Sequence, residues 1–162
     1  MPGAPRLFAH GCANFAQPLF HASQRLPGWL KAFVNISGID HIVLTVQDIG
    51  ATVNFYESVP GMTKDVFGEG RVGLKFGNQK INLHEFGNEF DPKAMVPKPG
   101  SEDLCLVTES RLEAAMVHVR GVGVEILEGP VRRTGAVGPM VSFYFRDPDG
   151  NLIEVASYEG LS

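Results

Sequence analysis

The sequence predicts an α+β domain built from two βαβββ modules, each a four-stranded sheet with one helix to cover one face. Three observations lead to this prediction. The patterns that follow Ile39 occur in the order strand, helix and three strands. Residues 87–101 contain three prolines and Gly100, which is typical of a linker. After this linker the same order of patterns begins again, so the chain reads as a duplication.

The first module is predicted at residues 39–86. Residues 39–46 are rich in β-branched side chains and predict a strand. Asp48 is suited to cap a helix over residues 49–58, and Pro60 with Gly61 ends that helix. Glycine turns then separate three further short strands. These strands are predicted near residues 63–67, 71–76 and 80–86.

The second module is predicted at residues 102–158, within a domain that spans 39–159. Residues 103–107 predict a strand, and Thr108 or Ser110 is expected to cap a helix that runs to about Val119. The remaining predictions are a strand around residues 124–127, a loop over 129–139, a strand over 140–146, a tight turn over 147–150 and a last strand over 151–158.

The first 38 residues differ from the rest of the chain and predict an irregular N-terminal extension. They contain no acidic residue, and prolines interrupt any long helix. Short, acid-free segments with basic and small residues are also typical of organelle transit peptides. We expect a cytoplasmic protein, and this segment makes a mitochondrial location the alternative.

Composition excludes several classes of protein. Apolar residues make up 44% of the chain and charged residues 20%, as in an ordinary globular domain. The net charge of −4 and the absence of a basic stripe argue against a nucleic-acid partner. No apolar run approaches the roughly 18 residues that a membrane span needs, so no membrane partner is expected. Of the two cysteines, Cys105 lies in an apolar run and is expected to be a small core residue.

Strand alternation predicts which side chains turn away from the helices. Because successive side chains of a strand point to opposite faces, the apolar set of each strand should meet the helix and the other set should line a concave surface. Polar side chains there need an explanation. The polar residues that this rule collects are His41, Thr45, Asn82, His84, Asp103 and Glu154.

These residues predict a site for one divalent metal ion. Imidazole and carboxylate groups without a thiolate suit Zn, Ni, Mn or Fe, and do not choose between them. We expect His41, His84, Asp103 and Glu154 to be the ligands, although each is also compatible with an ordinary structural role at a strand end or edge. Asn82 and Thr45 are expected to contact a substrate. Arg133, in the predicted glycine-rich loop, is suited to an anionic group.

Two segments carry a resemblance to a known family. Residues 39–46, followed by Asp48, are similar to the opening of vicinal-oxygen-chelate domains, the glyoxalase/bleomycin-resistance/dioxygenase superfamily. Residues 145–154 (FRDPDGNLIE) are similar to the C-terminal segment of these domains and are the most specific part of the resemblance. More narrowly, the chain resembles the glyoxalase domain-containing protein 5 group, through residues 80–85, 99–101, 104–106 and 128–136.

The resemblance implies a curved, eight-stranded half-barrel with metal ligands on the first and last strand of each half. Carried over, these positions are His41, Asn82, Asp103 and Glu154. Glyoxalase I has a carboxylate where this chain has Asn82, and usually His or Gln where it has Asp103. This departure puts the glyoxalase isomerisation in doubt. His84, two residues beyond Asn82, is a candidate for a second imidazole ligand.

The resulting prediction is a metal-dependent glyoxalase-like enzyme, a lyase, isomerase or related activity, on a small oxygenated or thiol-conjugated substrate. Glu154 is expected to be the catalytic residue. One alternative is a non-haem iron dioxygenase, which the same ligand types allow. The other is a metal-free small-molecule-binding protein. The resemblance also implies a homodimer, because paired modules either close within one chain or exchange with a second chain.

Overall fold

The computed structural model describes residues 34–158, and residues from 38 onward belong to one compact unit. The elements of this unit follow the predicted βαβββ order twice. The predicted N-terminal extension lies outside the described residues apart from 34–38, which are exposed and have no regular structure. The elements are β1 (His41–Val46), α1 (Ile49–Ser58), β2 (Thr63–Phe67), β3 (Arg71–Phe76), β4 (Gln79–Glu85), β5 (Asp103–Val107), α2 (Leu112–Gly121), β6 (Glu128–Gly135), β7 (Gly138–Arg146) and β8 (Leu152–Ser157).

The eight strands form two four-stranded sheets of the same topology. The first sheet has the order β1-β4-β3-β2 and the second the order β5-β8-β7-β6. In each sheet the first and last strands of the module are parallel neighbours, and the other pairs are antiparallel. The α+β prediction with two βαβββ modules is therefore confirmed, and the sheets are not closed into a barrel.

The two helices begin in different ways. The Asp48 side chain accepts a hydrogen bond from the Ala51 backbone N–H at 2.9 Å, which satisfies one of the unpaired donors at the start of α1. The predicted cap of α2 is wrong, because α2 starts after Arg111 and has no side-chain cap. Thr108 instead accepts a hydrogen bond from the Ser110 backbone N–H at 3.1 Å, within the turn before the helix.

The prediction of a strand at residues 124–127 and a loop at 129–139 is also wrong. Those four residues lie outside any strand, and β6 occupies most of the predicted loop. Pro130 is accommodated at an irregularity between Glu128 and Val131, where the register with β7 shifts. Beyond this irregularity the segment pairs with β7 as far as Gly135. Pairing with β7 therefore makes this segment a strand, although its local sequence only weakly favours one.

One hydrophobic core joins the helix sides of both sheets. Tyr56 of α1 and Phe143 and Phe145 of β7 are fully buried in it. The Phe55 ring lies 6.1 Å from the Phe145 ring, and the Tyr56 hydroxyl donates a hydrogen bond to Asp147 Oδ2 at 3.0 Å. The first helix therefore also contacts the second module, and one continuous core joins the two modules.

The opposite side of each sheet carries the side chains that alternation assigned to the concave surface. We call these sides the first and second open faces. They hold exposed apolar residues such as Val43 and Val107. By register, the first open face carries His41, Val43, Thr45, Thr63, Asp65, Phe67, Arg71, Gly73, Lys75, Lys80, Asn82 and His84. The second carries Asp103, Cys105, Val107, Glu128, Val131, Arg133, Met140, Ser142, Tyr144, Arg146, Leu152, Glu154 and Ala156.

Neither helix within residues 34–158 has the length and apolar character that crossing a membrane requires. Each helix is 10 residues long. A helix of that length rises about 15 Å, roughly half the hydrocarbon thickness of a bilayer.

Candidate functional site

His41 begins β1 at the edge of the first open face. Its Nδ1 lies 2.7 Å from Asp40 Oδ1, and the imidazole is partly exposed. A carboxylate on one ring nitrogen fixes the tautomer and the ring orientation, and leaves Nε2 as the acceptor. The pair with Asp40 therefore presents a ligand-competent nitrogen to the solvent side of this sheet.

Asn82 lies in the middle of the same face, between Val43 of β1 and Gly73 of β3. Its Oδ1 is buried and has no hydrogen-bond partner. A Cβ added at Gly73 would lie 3.2 Å from that oxygen and 3.1 Å from the Lys80 side chain. Glycine at position 73 thus leaves the space that the Asn82 amide occupies, and the amide oxygen remains free for a bound group.

Thr45 and His84 are register partners at the far end of this face, and both are buried. The His84 ring packs edge-on against Phe90 with 5.5 Å between the ring centres. Burial lowers the pKa of His84, and the nearby positive charges of Arg71 and Lys93 lower it further, whereas Glu89 raises it. His84 is therefore a neutral imidazole at pH 7, the form that can bind a metal.

Glu154 holds the corresponding central position on the second open face. Its neighbours in the register are Cys105 of β5 and Tyr144 of β7. Its Oε1 is buried without a hydrogen-bond partner. Partial burial, followed by the charge and the hydrogen bond of Glu154, raises the pKa of Cys105 to about 11. Cys105 is thus a protonated thiol beside this carboxylate at neutral pH.

Arg133 and Tyr144 extend from Glu154 across the second open face. The Arg133 Nε donates a hydrogen bond to the Tyr144 hydroxyl at 2.9 Å, and its Nη2 donates to Glu128 Oε1 at 2.9 Å. Burial raises the pKa of Tyr144, and its hydrogen bond to Glu154 adds to this rise against the opposing effect of Arg133. The guanidinium is therefore hydrogen-bonded to the phenol, and the phenol lies beside the Glu154 carboxylate in the register.

One residue, Cys105, occupies a place that differs from the sequence-based expectation, whereas Asp103 lies on the expected face. Cys105 is exposed, so the prediction that it is a core residue is wrong. Alternation explains this, because the core takes Leu104 and Leu106 and leaves the thiol on the open face. Asp103 is exposed at the start of β5 and pairs in register with Leu152, one pair away from Glu154.

The predicted site residues therefore divide between two sheets. His41, Thr45, Asn82 and His84 share the first open face, whereas Asp103, Arg133 and Glu154 share the second. Within residues 34–158, no three His, Cys, Asp or Glu side chains gather closely enough to hold a metal ion. The structure thus keeps the four predicted ligands apart in a single chain.

Sequence reasoning missed Asp40 and Tyr144 as members of this site. The signal for Tyr144 was available, because Phe143 and Phe145 are core residues and alternation turns the residue between them outward. The signal for Asp40 was only its adjacency to His41, which does not distinguish an orienting carboxylate from a surface charge.

Comparison with known proteins identifies the family. The family model of the Glyoxalase/Bleomycin resistance protein/Dioxygenase superfamily matches residues 38–155. The chain belongs to this superfamily. It is 51% identical over 126 residues to the glyoxalase domain-containing protein RDO1 of Mycosarcoma maydis, which covers 78% of this chain and 71% of that protein.

Two further relatives extend the comparison. The solved structure of an integron cassette protein from the mobile metagenome of Vibrio cholerae is 60% identical, with a TM-score of 0.77 over 78% of this chain and 99% of the other. The metallothiol transferase FosB of Shouchella clausii is 30% identical over 120 residues, 74% of this chain and 80% of FosB. The superfamily therefore includes relatives that are named for metal-dependent thiol transfer.

Proposed function

We propose that this protein is a metal-dependent glyoxalase-like enzyme, a lyase, isomerase or related activity, acting on a small oxygenated or thiol-conjugated substrate. The observation that carries the proposal is the unpartnered, buried Oε1 of Glu154. A buried carboxylate oxygen without a hydrogen bond is costly, and a metal ion removes that cost. The similarity to a metallothiol transferase agrees with this interpretation.

The donor set fits a divalent metal ion such as Zn, Ni, Mn or Fe. His41 would supply Nε2, held in place by Asp40, and Glu154 would supply Oε1. His84, a neutral imidazole, or Asp103 would complete the set. A metal bound by imidazole and carboxylate supplies a Lewis acid that polarises a substrate oxygen.

The chain's own groups would then bind the substrate and move its proton. Asn82 offers a free amide oxygen on the first open face, close to Thr45 in the adjacent strand. Arg133, held by Tyr144 and Glu128, is suited to an anionic group on the second. Glu154 is also the proposed proton acceptor, through the carboxylate oxygen that does not bind the metal.

We propose further that two copies of the chain assemble each site. In one chain the helix sides of both sheets share the core, so the two open faces keep His41 and Glu154 apart. Exposed valines on these faces, Val43 and Val107, would be buried by a second copy. In a twofold dimer the first open face of one copy meets the second open face of the other, which creates two equal sites.

Elemental analysis of protein purified without chelator tests the metal. We expect about one metal ion per chain, and loss of that ion in both His41→Ala and Glu154→Ala. The controls are His118→Ala and Glu125→Ala, which remove an imidazole and a carboxylate on exposed residues away from the open faces. Absence of metal after reconstitution with Zn, Ni, Mn and Fe(II) would rule the enzyme proposal out.

A mixing experiment tests the shared site. When His41→Ala and Glu154→Ala chains are refolded together, each mixed dimer contains one site with both native residues and one with neither. Random association then restores about a quarter of the metal sites, whereas sites formed within one chain would give none. Size-exclusion chromatography with light scattering on the same samples measures the dimer directly.

The alternative is a metal-free protein that binds a small molecule between the open faces. It is favoured by the absence, within residues 34–158, of three close metal-binding side chains. The metal analysis separates the two proposals, since a binding protein retains no stoichiometric ion. A non-haem iron dioxygenase, the remaining alternative, would retain Fe(II) and consume oxygen when supplied with a catechol.

The cellular location is proposed as cytoplasmic, with mitochondrial import as the alternative. The acid-free segment 1–38 is the basis for that alternative. Fusion of this segment to a fluorescent reporter tests it, since import would direct the reporter to mitochondria and a cytoplasmic protein would leave it diffuse.

A further inference from the structure

Arg71 lies between two aromatic rings at one end of the first open face. Its guanidinium carbon is 4.9 Å from the Phe67 ring centre and 5.9 Å from the Phe90 ring centre. Such stacking fixes the plane of a guanidinium while its N–H donors remain at the edge. Arg71 is therefore held in position without the use of its hydrogen-bonding groups.

A second cation shares the same ring. Lys80 Nζ lies 3.5 Å from the Phe67 ring centre, so two positive charges approach one small aromatic surface. Like charges that approach a common point repel each other unless a negative charge lies near. Asp65 lies 3.5 Å from Lys80 Nζ, so it is the charge of Arg71 that an added anion would compensate.

The carboxylate of this face does not compensate Arg71. Asp65 is the one acidic side chain among the residues of the first open face, and it binds Lys75 at 2.9 Å and Lys80 at 3.5 Å. The ion pairs within residues 34–158 do not include Arg71. A positioned guanidinium thus keeps its full capacity to bind an anion in a bidentate manner.

We propose that Arg71, assisted by Lys80, forms an anion-binding subsite for an oxyanion group of the substrate. The subsite lies on the face that also carries His41 and Asn82, so it assigns an anionic substrate to the enzyme proposed above and rests on that proposal. Phe67 and Phe90 position the Arg71 guanidinium. Phe90 lies in the loop after β4 and covers one side of the subsite.

Titration calorimetry with methylphosphonate and with malonate tests the subsite in the full-length protein, as purified and again after removal of metal by chelation. We expect saturable binding in both preparations. Arg71→Gln should weaken the affinity about tenfold or more, because it removes charge-assisted hydrogen bonds. Arg71→Lys keeps the charge and loses the planar donor pair, so its affinity should lie between that of the native protein and that of Arg71→Gln.

The matched control is Lys64→Gln, which removes an exposed cation from the opposite side of β2 and should bind both anions like the native protein. Phe90→Leu removes one stacked ring and should weaken binding less than Arg71→Gln. Native affinity in Arg71→Gln, or no saturable binding of either anion to the native protein, would overturn the subsite. Because the chelated sample contains no metal, failure of the metal proposal would appear separately in the elemental analysis.

Discussion

The two open faces have the same strand topology but opposite chemistry. The first carries three basic side chains, Arg71, Lys75 and Lys80, against one carboxylate, Asp65. The second places Glu154 beside Cys105 and Tyr144, and Tyr144 accepts a hydrogen bond from Arg133. The helix sides of both sheets, in contrast, contribute buried apolar residues to one shared core. The repeated module therefore preserves alternate positions for packing, and the positions between them are free to acquire different chemistry.

Disruption of the shared core should have the largest effect. Phe145→Ala removes a fully buried ring that contacts Phe55 of the other module. We expect the free energy of unfolding to fall by about 3–5 kcal/mol, the usual cost of such a cavity. Guanidinium denaturation followed by fluorescence and by circular dichroism measures it.

The control for this change is Phe86→Ala, at a half-exposed phenylalanine just after β4, which should cost less than about 1 kcal/mol. Both probes should report a single transition, because the modules share the core. Two separated transitions in either variant would show that the modules fold independently and would contradict the common core.

Loss of the Tyr144 hydroxyl should affect the second open face alone. Tyr144→Phe removes the hydroxyl that holds Arg133 beside Glu154, while it keeps the ring. If Glu154 binds the metal, we expect the metal affinity to fall about tenfold, as for other residues that orient a ligand. Competition with a chelator measures it.

Tyr158→Phe is the matched control, because that hydroxyl accepts a hydrogen bond from the Val137 backbone N–H. It should leave the metal affinity unchanged. An equal loss in both variants would mean that general disturbance of the sheet, and not the orientation of Glu154, causes the effect.

The contact between the modules at Tyr56 should have the smallest effect and a characteristic pH dependence. Tyr56→Phe removes the hydrogen bond to Asp147, and we expect a loss of about 1 kcal/mol in the free energy of unfolding at pH 7. Burial, together with the charges of Asp147 and Asp149, raises the pKa of Tyr56 well above its usual value. The folded chain therefore keeps this proton at a pH where the unfolded chain releases it.

The sign of the pH effect follows from this difference in bound protons. Above about pH 10 the unfolded state binds fewer protons, so the stability of the native protein falls as the pH rises. Tyr56→Phe lacks this titration, so the difference between the two proteins should shrink between pH 9 and about pH 11. Chemical denaturation at both pH values measures it, and a constant difference would contradict the assignment.

Local signals predicted the first module well. Asp48 caps the start of α1, and Pro60 with Gly61 ends it. Both signals act on the backbone directly beside them, so the local sequence is enough to predict them. The second module was predicted less well. Strand β6 gains its structure from pairing with β7, and a segment with Gly129 and Pro130 carries no local signal for that pairing.

The site was predicted in part for a similar physical reason. Alternation depends only on strand geometry, so it correctly turned Asn82, His84 and Glu154 away from the helices, and it collected them on one concave surface. It carries no information on how two sheets are oriented, which depends on the packing of Phe55, Tyr56 and Phe145 across the core. The division of the predicted ligands between two faces therefore required the structure.

The strand order of the second sheet has a consequence for synthesis of the chain. Strand β8 lies between β5 and β7, although it is the last strand of its module to be made. Until β8 emerges from the ribosome, β5 has no hydrogen-bonded neighbour. Phe143 and Phe145 of β7 also lack their partners in β8, Val155 and Ile153. The first module can pair its strands much earlier, yet its helix side then remains uncovered. Nascent chains that stop before Leu152 should thus expose the apolar side of both sheets and be the species that chaperones bind.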